Sequence, residues 1–335
     1  MKNESKINLI YCIKNKIILN YLSIIIIKFN NFFKQKKIII IFFILHYIIF
    51  FIFIKIYYFH NFNNYISQTQ TKILNFRETQ EIGLKYIRNK YESFLDKLPF
   101  YNHTHQYSNK IFWCWLQGEQ NAPKLYQSNL NALRKNCKNH EIIIITEKNM
   151  NQYINFPSFI RNKFNRNLIP KTHFSDMLRL ELLKKYGGTW IDASVLITEY
   201  DESFFNNDLF FFKSSGENWL SGSSWFITGE KNSPILKTTL DLLYEFWRTN
   251  NKLYNYFLFH FFFKMSCDRY INDFKNVPFY SNIPVHVLQY EMFQSFNIRR
   301  YKQILECSKV HKLTSKTNIK FTNETFYYYI LKEYS

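Results

Sequence analysis

The stretch "THFSDMLRLELLKKYGGTWIDASV", residues 172–195, places two glycines and a single carboxylate between a helical pattern and an apolar run. Ser175 is suited to capping a helix, with Asp176 in the first turn. Asp176 and Arg179 share one helix face because they are three positions apart. A glycine then ends the helix. The residues after it form a strand with Asp192 at its carboxyl end.

Short buried strands alternate with helical stretches upstream of this segment. "IFWCWL" (111–116) and "EIIIIT" (141–146) are apolar runs, and residues 124–135 between them have a helical pattern. This rhythm predicts an α/β fold with a mostly parallel sheet. In such sheets, ligands bind just beyond the carboxyl ends of the strands. There, Asp192 either holds a divalent cation that clamps a diphosphate, or it begins a turn and bonds to nearby backbone amides.

The amino terminus has the pattern of a membrane anchor. Residues 1–37 carry eight lysines and one acidic residue, and residues 38–54 are uncharged. We predict a basic terminus and anchor over 1–60, with a transmembrane helix at about 38–58. A shorter apolar stretch, residues 17–27, leaves the topology open. A single span would place the rest of the chain outside the cytoplasm, whereas two passes or a monotopic hairpin would keep it on the cytoplasmic side of a bacterial membrane, where we expect the globular domain.

The remaining chain divides into a helical connector over 61–107 and a globular domain over 108–335. The net charge of the whole chain is +19. This charge suits an anionic lipid surface or a phosphate-bearing substrate, and no basic–aromatic motif of a nucleic-acid binder accompanies it. The five cysteines are widely spaced and include no CxxC pair, so neither a disulfide framework nor a zinc site is predicted.

The central segment resembles the signature of the capsular polysaccharide synthesis proteins, relatives of the DXD-containing glycosyltransferases such as the yeast Golgi mannosyltransferases. That signature has the form S-D-x-x-R, an apolar helix, Y-G-G, and then W-x-D-A-[ST] or D-x-D. "IFWCWLQGEQNAPKLYQSNLNAL" (111–133), "SSWFITGEKNSPIL" (223–236), "NYFLFHFFF" (255–263) and "VHKLTSK" (310–316) resemble other blocks of the family. The resemblance covers roughly residues 108–320.

The resemblance implies a GT-A-like nucleotide-sugar-binding sandwich and the transfer of a sugar from a nucleotide-diphosphate donor, with Mn²⁺ or Mg²⁺. By position, Asp192 would be the metal-binding and catalytic carboxylate. Asp176 and Arg179 would bind the donor, with a catalytic part for Asp176. Gly187 and Gly188 would let the backbone approach the donor.

One departure concerns the metal. The third position of the DXD motif is Ser194, a neutral hydroxyl ligand. His311, in the later H-K-L-T block, would be another metal ligand or a phosphate contact, and Lys312 beside it would bind the donor. His260, a lone histidine in "FLFHFFF", is typical of a packed side chain rather than a catalytic one.

Two functions are consistent with these predictions. The first is a membrane-anchored glycosyltransferase that acts on a glycan or lipid-linked acceptor in capsular or other surface polysaccharide synthesis. The second is a non-catalytic scaffold in a polysaccharide-assembly complex, which Ser194 and the lack of an obvious catalytic base favour.

Overall fold

The structure is a computed structural model that describes the backbone of residues 36–316 and 323–335. It describes side chains from residue 65 onward, and before that only at positions 49, 50, 52 and 55. The chain divides into two compact units, Met1–Asn75 and Phe76–Ser335. All the described strands belong to the second unit, and the long first helix begins in the first unit.

The helices are α1 (Lys36–Lys97), α2 (Lys124–Asn136), α3 (Met150–Tyr153), α4 (Ser158–Asn165), α5 (Lys171–Tyr186), α6 (Pro234–Thr249), α7 (Leu258–Arg269), α8 (Ile271–Asn276), α9 (Asn282–Glu291), α10 (Ile298–Cys307) and α11 (Phe326–Glu333). Short 3₁₀ turns cover Glu119–Asn121 and Glu202–Phe204. The strands are β1 (Lys110–Cys114), β2 (Glu141–Ile145), β3 (Gly188–Ile191), β4 (Val195–Ile197), β5 (Leu209–Lys213), β6 (Gly222–Gly229) and β7 (Val310–Lys312).

A five-stranded sheet in the order β2-β1-β3-β6-β5 forms the centre of the described fold. β1 pairs in parallel with β2 and with β3, whereas β6 pairs antiparallel with β3 and with β5. The α/β class is therefore confirmed, but the sheet is mixed rather than mostly parallel. The reason is that the described residues between β5 and β6 form no crossover helix, and strands joined by a loop alone pair antiparallel.

Helices cover both faces of this sheet. Phe112, Trp190 and Ile227 belong to one buried cluster, together with residues of α5, α6 and α7. Their strand neighbours Ile111 and Ile191 belong to a second cluster that includes residues of α2. This alternation follows from the two-residue period of a strand. The layered arrangement agrees with the predicted sandwich.

Two further features position the later segments. β4 and β7 form a separate antiparallel pair, in which Val195 faces Lys312 and Leu196 faces His311. The carboxyl-terminal part of α1 packs within the second unit, where Ile87 and Leu95 are buried.

The predicted transmembrane span of about 38–58 falls on residues for which the structure gives a helical backbone and few side chains. It therefore stays a prediction. Within the part of the chain that the structure describes, no helix has the length and hydropathy needed to cross a bilayer.

Candidate active site

Two parallel strands end at the same edge of the sheet and place the candidate site there. Cys114 is the last residue of β1, and Asp192 directly follows β3. The backbone N–H of Asp192 donates to the carbonyl of Trp225 on β6 at 2.9 Å, which fixes the end of β3 against its neighbour. The Asp192 side chain is 25% exposed, so the carboxylate reaches solvent.

Helix α5 brings a second carboxylate and a guanidinium to this edge. The helix begins at Lys171, after Pro170, rather than at Ser175 as predicted. Proline suits this place because it has no N–H to leave unsatisfied. Ser175 consequently lies inside the helix. Asp176 and Arg179 are both buried, and their side chains meet across less than one helical turn.

Arg179 bridges the two carboxylates. Its Nη2 lies 3.2 Å from Asp176 Oδ1 and 3.5 Å from Asp192 Oδ1, and the side chain is only 6% exposed. Nη1 donates to the carbonyl of Ser224. The guanidinium carbon lies 5.2 Å from the ring centre of Trp190. The predicted proximity of Asp176, Arg179 and Asp192 is thus what the structure shows.

Lys312 reaches the same point from the two-stranded sheet. Its Nζ lies 3.0 Å from Asp192 Oδ2 and 2.5 Å from Ser194 Oγ. The backbone N–H of Leu313 donates to the carbonyl of Ser194 at 2.8 Å. The pairing of β4 with β7 therefore fixes the lysine backbone directly beside the DXD-like segment.

The surroundings shift the two carboxyl groups in opposite directions. For Asp192, burial raises the pKa, but Lys312, Arg179 and the Trp190 N–H lower it by more, so the net pKa lies below the ordinary value. For Asp176, burial raises the pKa to about 7, against the opposing effect of Arg179. The site at neutral pH therefore holds one firm anion, a second carboxyl group near its midpoint, and two cations.

Two histidines that the sequence did not single out as functional also belong to this region. His173, on α5, donates through Nε2 to the carbonyl of Tyr256 at 3.1 Å, and its Nδ1 lies 3.8 Å from Asp176 Oδ2. His260, on α7, is close enough to Arg179 for its charge to affect the histidine's pKa. Burial lowers the pKa of His173 to about 4 and that of His260 to about 3, so both rings are neutral.

The Cys114 thiol is a further neighbour of Asp192. Burial, together with the charge of Asp192, raises its pKa to about 12. A thiol that remains protonated is a poor nucleophile. Cys114 therefore contributes shape to this edge of the sheet rather than reactivity.

The sequence from residue 61 to residue 330 matches the profile of a family described as "Capsular polysaccharide synthesis protein". The chain belongs to this family. A comparison with curated proteins found no match. Among solved structures, one similar chain is described as "PaToxG Glycosyltransferase"; it is 17% identical, with a TM-score of 0.39, and the alignment covers 58% of this chain and 80% of that one.

Two of the predicted donor-binding residues, Gly187 and Gly188, lie at the amino end of β3, whereas Asp192 follows its carboxyl end. Gly187 and Gly188 have φ values of +68° and +92°. A Cβ added to Gly188 would lie 2.4 Å from the carbonyl oxygen of Lys110. The two glycines therefore make the turn between α5 and β3 and admit β1, and they do not approach a donor held at Asp192.

His311 also departs from its predicted place. It is fully buried, with the apolar Val310 and Leu313 close to it in sequence also buried. Because adjacent side chains of a strand point to opposite faces, His311 and Lys312 lie on opposite faces of the two-stranded sheet. The structure brings Lys312 to Asp192 and leaves His311 on the other face.

The predicted metal set of Asp192, Ser194 and His311 is therefore not assembled. His311 faces away, and the oxygens of Asp192 and Ser194 that would bind a cation both accept from Lys312. These residues do not fit a divalent ion, because the ammonium already lies where the ion would be held.

A different group of candidate metal ligands lies at the opposite edge of the sheet. In the described part of the chain, ligand atoms of His105, Asp208 and Glu230 lie within 4.8 Å of one another. A cavity of about 410 Å³ is next to them, lined by His103, Asp208 and Asp273 among others. Sequence reasoning missed this cluster because its members come from three separate segments.

Glu230 is the centre of that cluster and is fully buried. Its carboxylate accepts from the backbone N–H of Thr104 at 2.9 Å, from the N–H of His105, and from the ring of His103. Burial lowers the pKa of His103, but Glu230 and Asp273 raise it by more, so the net pKa lies above the ordinary value. The carboxylate anchors the segment that leads into β1.

Proposed function

We propose that this protein is a glycosyltransferase that moves a sugar from a nucleotide-diphosphate donor to a glycan or lipid-linked acceptor during synthesis of capsular or other surface polysaccharide. One observation carries the proposal. Arg179 joins Asp176 and Asp192 at the carboxyl edge of the sheet, with Lys312 beside them, in a member of the capsular polysaccharide synthesis family.

The proposed chemistry uses the charges of this edge. In sugar transfer, the bond from the anomeric carbon to the phosphate oxygen breaks, and its electron pair leaves with the diphosphate. The acceptor oxygen forms the new bond to the anomeric carbon and releases its proton to solvent water. Negative charge therefore develops on the diphosphate, and fixed cations stabilise it most in the transition state. Arg179 and Lys312 supply two such cations, and Asp192 holds both of them in place.

Asp176 has a different place in this proposal. Its carboxyl group is buried beside Arg179 and has a pKa of about 7. Carboxyl and guanidinium groups in such a position suit hydrogen bonds to sugar hydroxyls. We assign Asp176 to the donor sugar, and Arg179, which contacts Asp176, to the junction of the sugar and the diphosphate.

We also propose that the basic terminus and the apolar run of residues 38–54 attach the protein to a membrane, with the globular domain on the cytoplasmic side of a bacterial membrane. The lysines before the run and the aromatic residues after it support this proposal. Membrane fractionation tests the attachment, and protease accessibility of the globular domain in intact cells tests the side.

A screen of nucleotide sugars with the detergent-purified full chain tests the function. We expect sugar transfer or donor hydrolysis with at least one nucleotide sugar, and its loss in Asp192→Asn. Asp201→Asn is the matched control, because Asp201 is similarly exposed (27%) and also pairs with a lysine, Lys309. Nucleotide binding without any transfer or hydrolysis would overturn the enzyme and favour the scaffold.

A further inference from the structure

The position of Lys312 has a consequence beyond donor binding in general. A divalent ion held by Asp192 and Ser194 would need the oxygens Asp192 Oδ2 and Ser194 Oγ. Lys312 Nζ lies 3.0 Å from the first and 2.5 Å from the second. The ammonium and a divalent ion therefore compete for one place between the same two side chains.

The lysine is held there by more than its ion pair. β7 pairs Lys312 with Val195, and the next backbone N–H donates to the Ser194 carbonyl. The Lys312 side chain is 19% exposed, and its Nζ lies 5.8 Å from the ring centre of Trp225. A side chain fixed at its backbone and covered along its stem gives the charge a defined position.

Ser194 fits an ammonium better than it fits a metal ion. A hydroxyl is a neutral acceptor, so the segment presents one carboxylate, Asp192, to one ammonium. A second carboxylate at position 194 would leave excess negative charge that calls for a divalent ion. The residue that departs from the DXD pattern is thus the residue that Lys312 contacts.

Donors remain for a ligand at this point. An ammonium has three N–H donors, and in the described part of the chain two of them go to Asp192 and Ser194. Arg179 Nε is buried and has no hydrogen-bond partner among the described residues. The third N–H of Lys312 is left for a phosphate oxygen, beside the charge of Arg179.

We propose that Lys312 replaces the divalent cation of the DXD-type site, so that this protein binds the diphosphate of its donor through Lys312 and Arg179 without a metal ion. The proposal rests on the proposed function for the identity of the ligand. It makes Lys312 a residue that touches the leaving group.

Calorimetric titration of the full chain with the common nucleoside diphosphates tests the proposal. We expect at least one of them to bind in EDTA. Its dissociation constant should be within about threefold of that in Mn²⁺, because no metal ion takes part in binding; a tenfold change would correspond to about 1.4 kcal/mol. Lys312→Met should weaken binding by at least about tenfold, the effect of losing a charged hydrogen bond. Lys312→Arg should retain most of the affinity.

Lys309→Met is the matched control. Lys309 is close to β7 and pairs with Glu199 and Asp201, away from Asp192. We expect this variant to bind like the wild type. A double variant, Ser194→Asp with Lys312→Met, places a second carboxylate where the ammonium was, and it should bind the same nucleotide only when Mn²⁺ is present.

The outcomes separate this proposal from the proposed function. Wild-type binding that disappears in EDTA and returns with Mn²⁺ overturns the role of Lys312 and leaves a glycosyltransferase standing. Nucleotides that bind under neither condition overturn both. Unchanged nucleotide affinity in Lys312→Met also overturns the role of Lys312. If that variant does not fold, the wild-type titration in EDTA decides alone. The titrations are repeated in Asp208→Asn, because this variant lacks one of the candidate metal ligands His105, Asp208 and Glu230 and so excludes Mn²⁺ bound there.

Discussion

The two edges of the central sheet both gather carboxylates next to basic groups, but they do so differently. At the carboxyl edge, Asp192 is flanked by Arg179 and Lys312 and reaches solvent. At the opposite edge, Glu230 is fully buried and accepts from two backbone N–H groups and a histidine of one segment. Asp192 holds the charged side chains of Arg179 and Lys312 in place, and Glu230 holds the segment that leads into β1.

This difference shows how a ligand-binding edge can be told from a structural one. The donors around Glu230 are mostly backbone groups that folding has to satisfy in any case, with one histidine ring. Asp192 accepts from the Lys312 ammonium and the Trp190 indole N–H and lies beside Arg179, whose buried Nε has no partner in the described part of the chain. We infer that cationic donors left partly open indicate a ligand, whereas a carboxylate surrounded by backbone N–H groups indicates a fixed turn.

The largest expected effect that distinguishes the two edges is on the rate of sugar transfer. Asp192→Asn removes the anion that positions both cations, and we expect the rate of sugar transfer to fall by about 10²- to 10³-fold, the effect of losing one preorganised electrostatic group. The melting temperature should stay close to that of the wild type. Asp201→Asn should keep the wild-type rate. A transfer rate that survives Asp192→Asn would remove the functional distinction between the two edges.

The next effect is on stability and concerns the turn at the structural edge. Gly188→Ala forces φ +92° on alanine and places a Cβ 2.4 Å from the Lys110 carbonyl oxygen. We expect the free energy of unfolding to fall by about 2–4 kcal/mol from backbone strain and overpacking. Chemical denaturation measures this change, and nucleotide affinity of the folded protein should not change.

Gly216 supplies the control for that experiment. Its φ is also +92°, but a Cβ added there would meet nothing within 4 Å. Gly216→Ala therefore reports the backbone strain alone, and the difference between the two variants reports the contact with Lys110. Equal losses in the two variants would contradict the close approach of β1 to this turn.

A smaller loss of stability should follow from Glu230→Gln. The amide keeps one acceptor oxygen but loses the charge that the N–H groups of Thr104 and His105 donate to. We expect the free energy of unfolding to fall by about 1.5–3 kcal/mol, the range for hydrogen bonds to a charged group. Glu199→Gln, which weakens an exposed pair with Lys309, should change it by less than about 0.5 kcal/mol. A loss of nucleotide affinity in Glu230→Gln would contradict a purely structural role.

Much of the sheet and of its carboxyl edge could be predicted from the sequence, whereas the Glu230 edge could not, and the physical reasons are specific. Short apolar runs predicted β1 and β2, and the family resemblance implied that Asp176, Arg179 and Asp192 serve one site. The antiparallel pair of β5 and β6 was missed because local periodicity does not give the pairing direction. The pairing of β4 with β7 joins segments far apart in the chain, which no local pattern reveals.

The errors at the site have the same origin. His311 and Lys312 are adjacent, and only the pairing of β7 decides which of them faces Ser194, since a shift of one residue exchanges the two faces. The glycine pair was assigned to the donor because it lies close to Asp192 in sequence. Four residue steps along β3 separate Gly188 from Asp192, which is about 13 Å at the rise of a strand.

A further test concerns the charge at the carboxyl edge and uses the pH dependence of stability. Asp176 has a pKa of about 7 in the folded protein because burial opposes its ionisation, against an ordinary value of 3.8. Because the folded state holds the proton more tightly, Asp176 contributes most to stability below about pH 4, and this contribution is lost as the pH rises through about 7. Asp176→Asn keeps a neutral side chain at every pH.

The free energy of unfolding of the wild type should therefore fall relative to Asp176→Asn between about pH 4 and pH 7, and then level off. Asp201→Asn provides a control of opposite sign, because hydrogen bonds to Ser203 and the charge of Lys309 lower the pKa of Asp201 despite its burial. Its contribution is present above the unfolded pKa and is lost as the pH falls. If the Asp176 difference instead rises with pH, Arg179 outweighs burial, and the carboxyl edge carries two full anions rather than the net positive charge that a diphosphate requires.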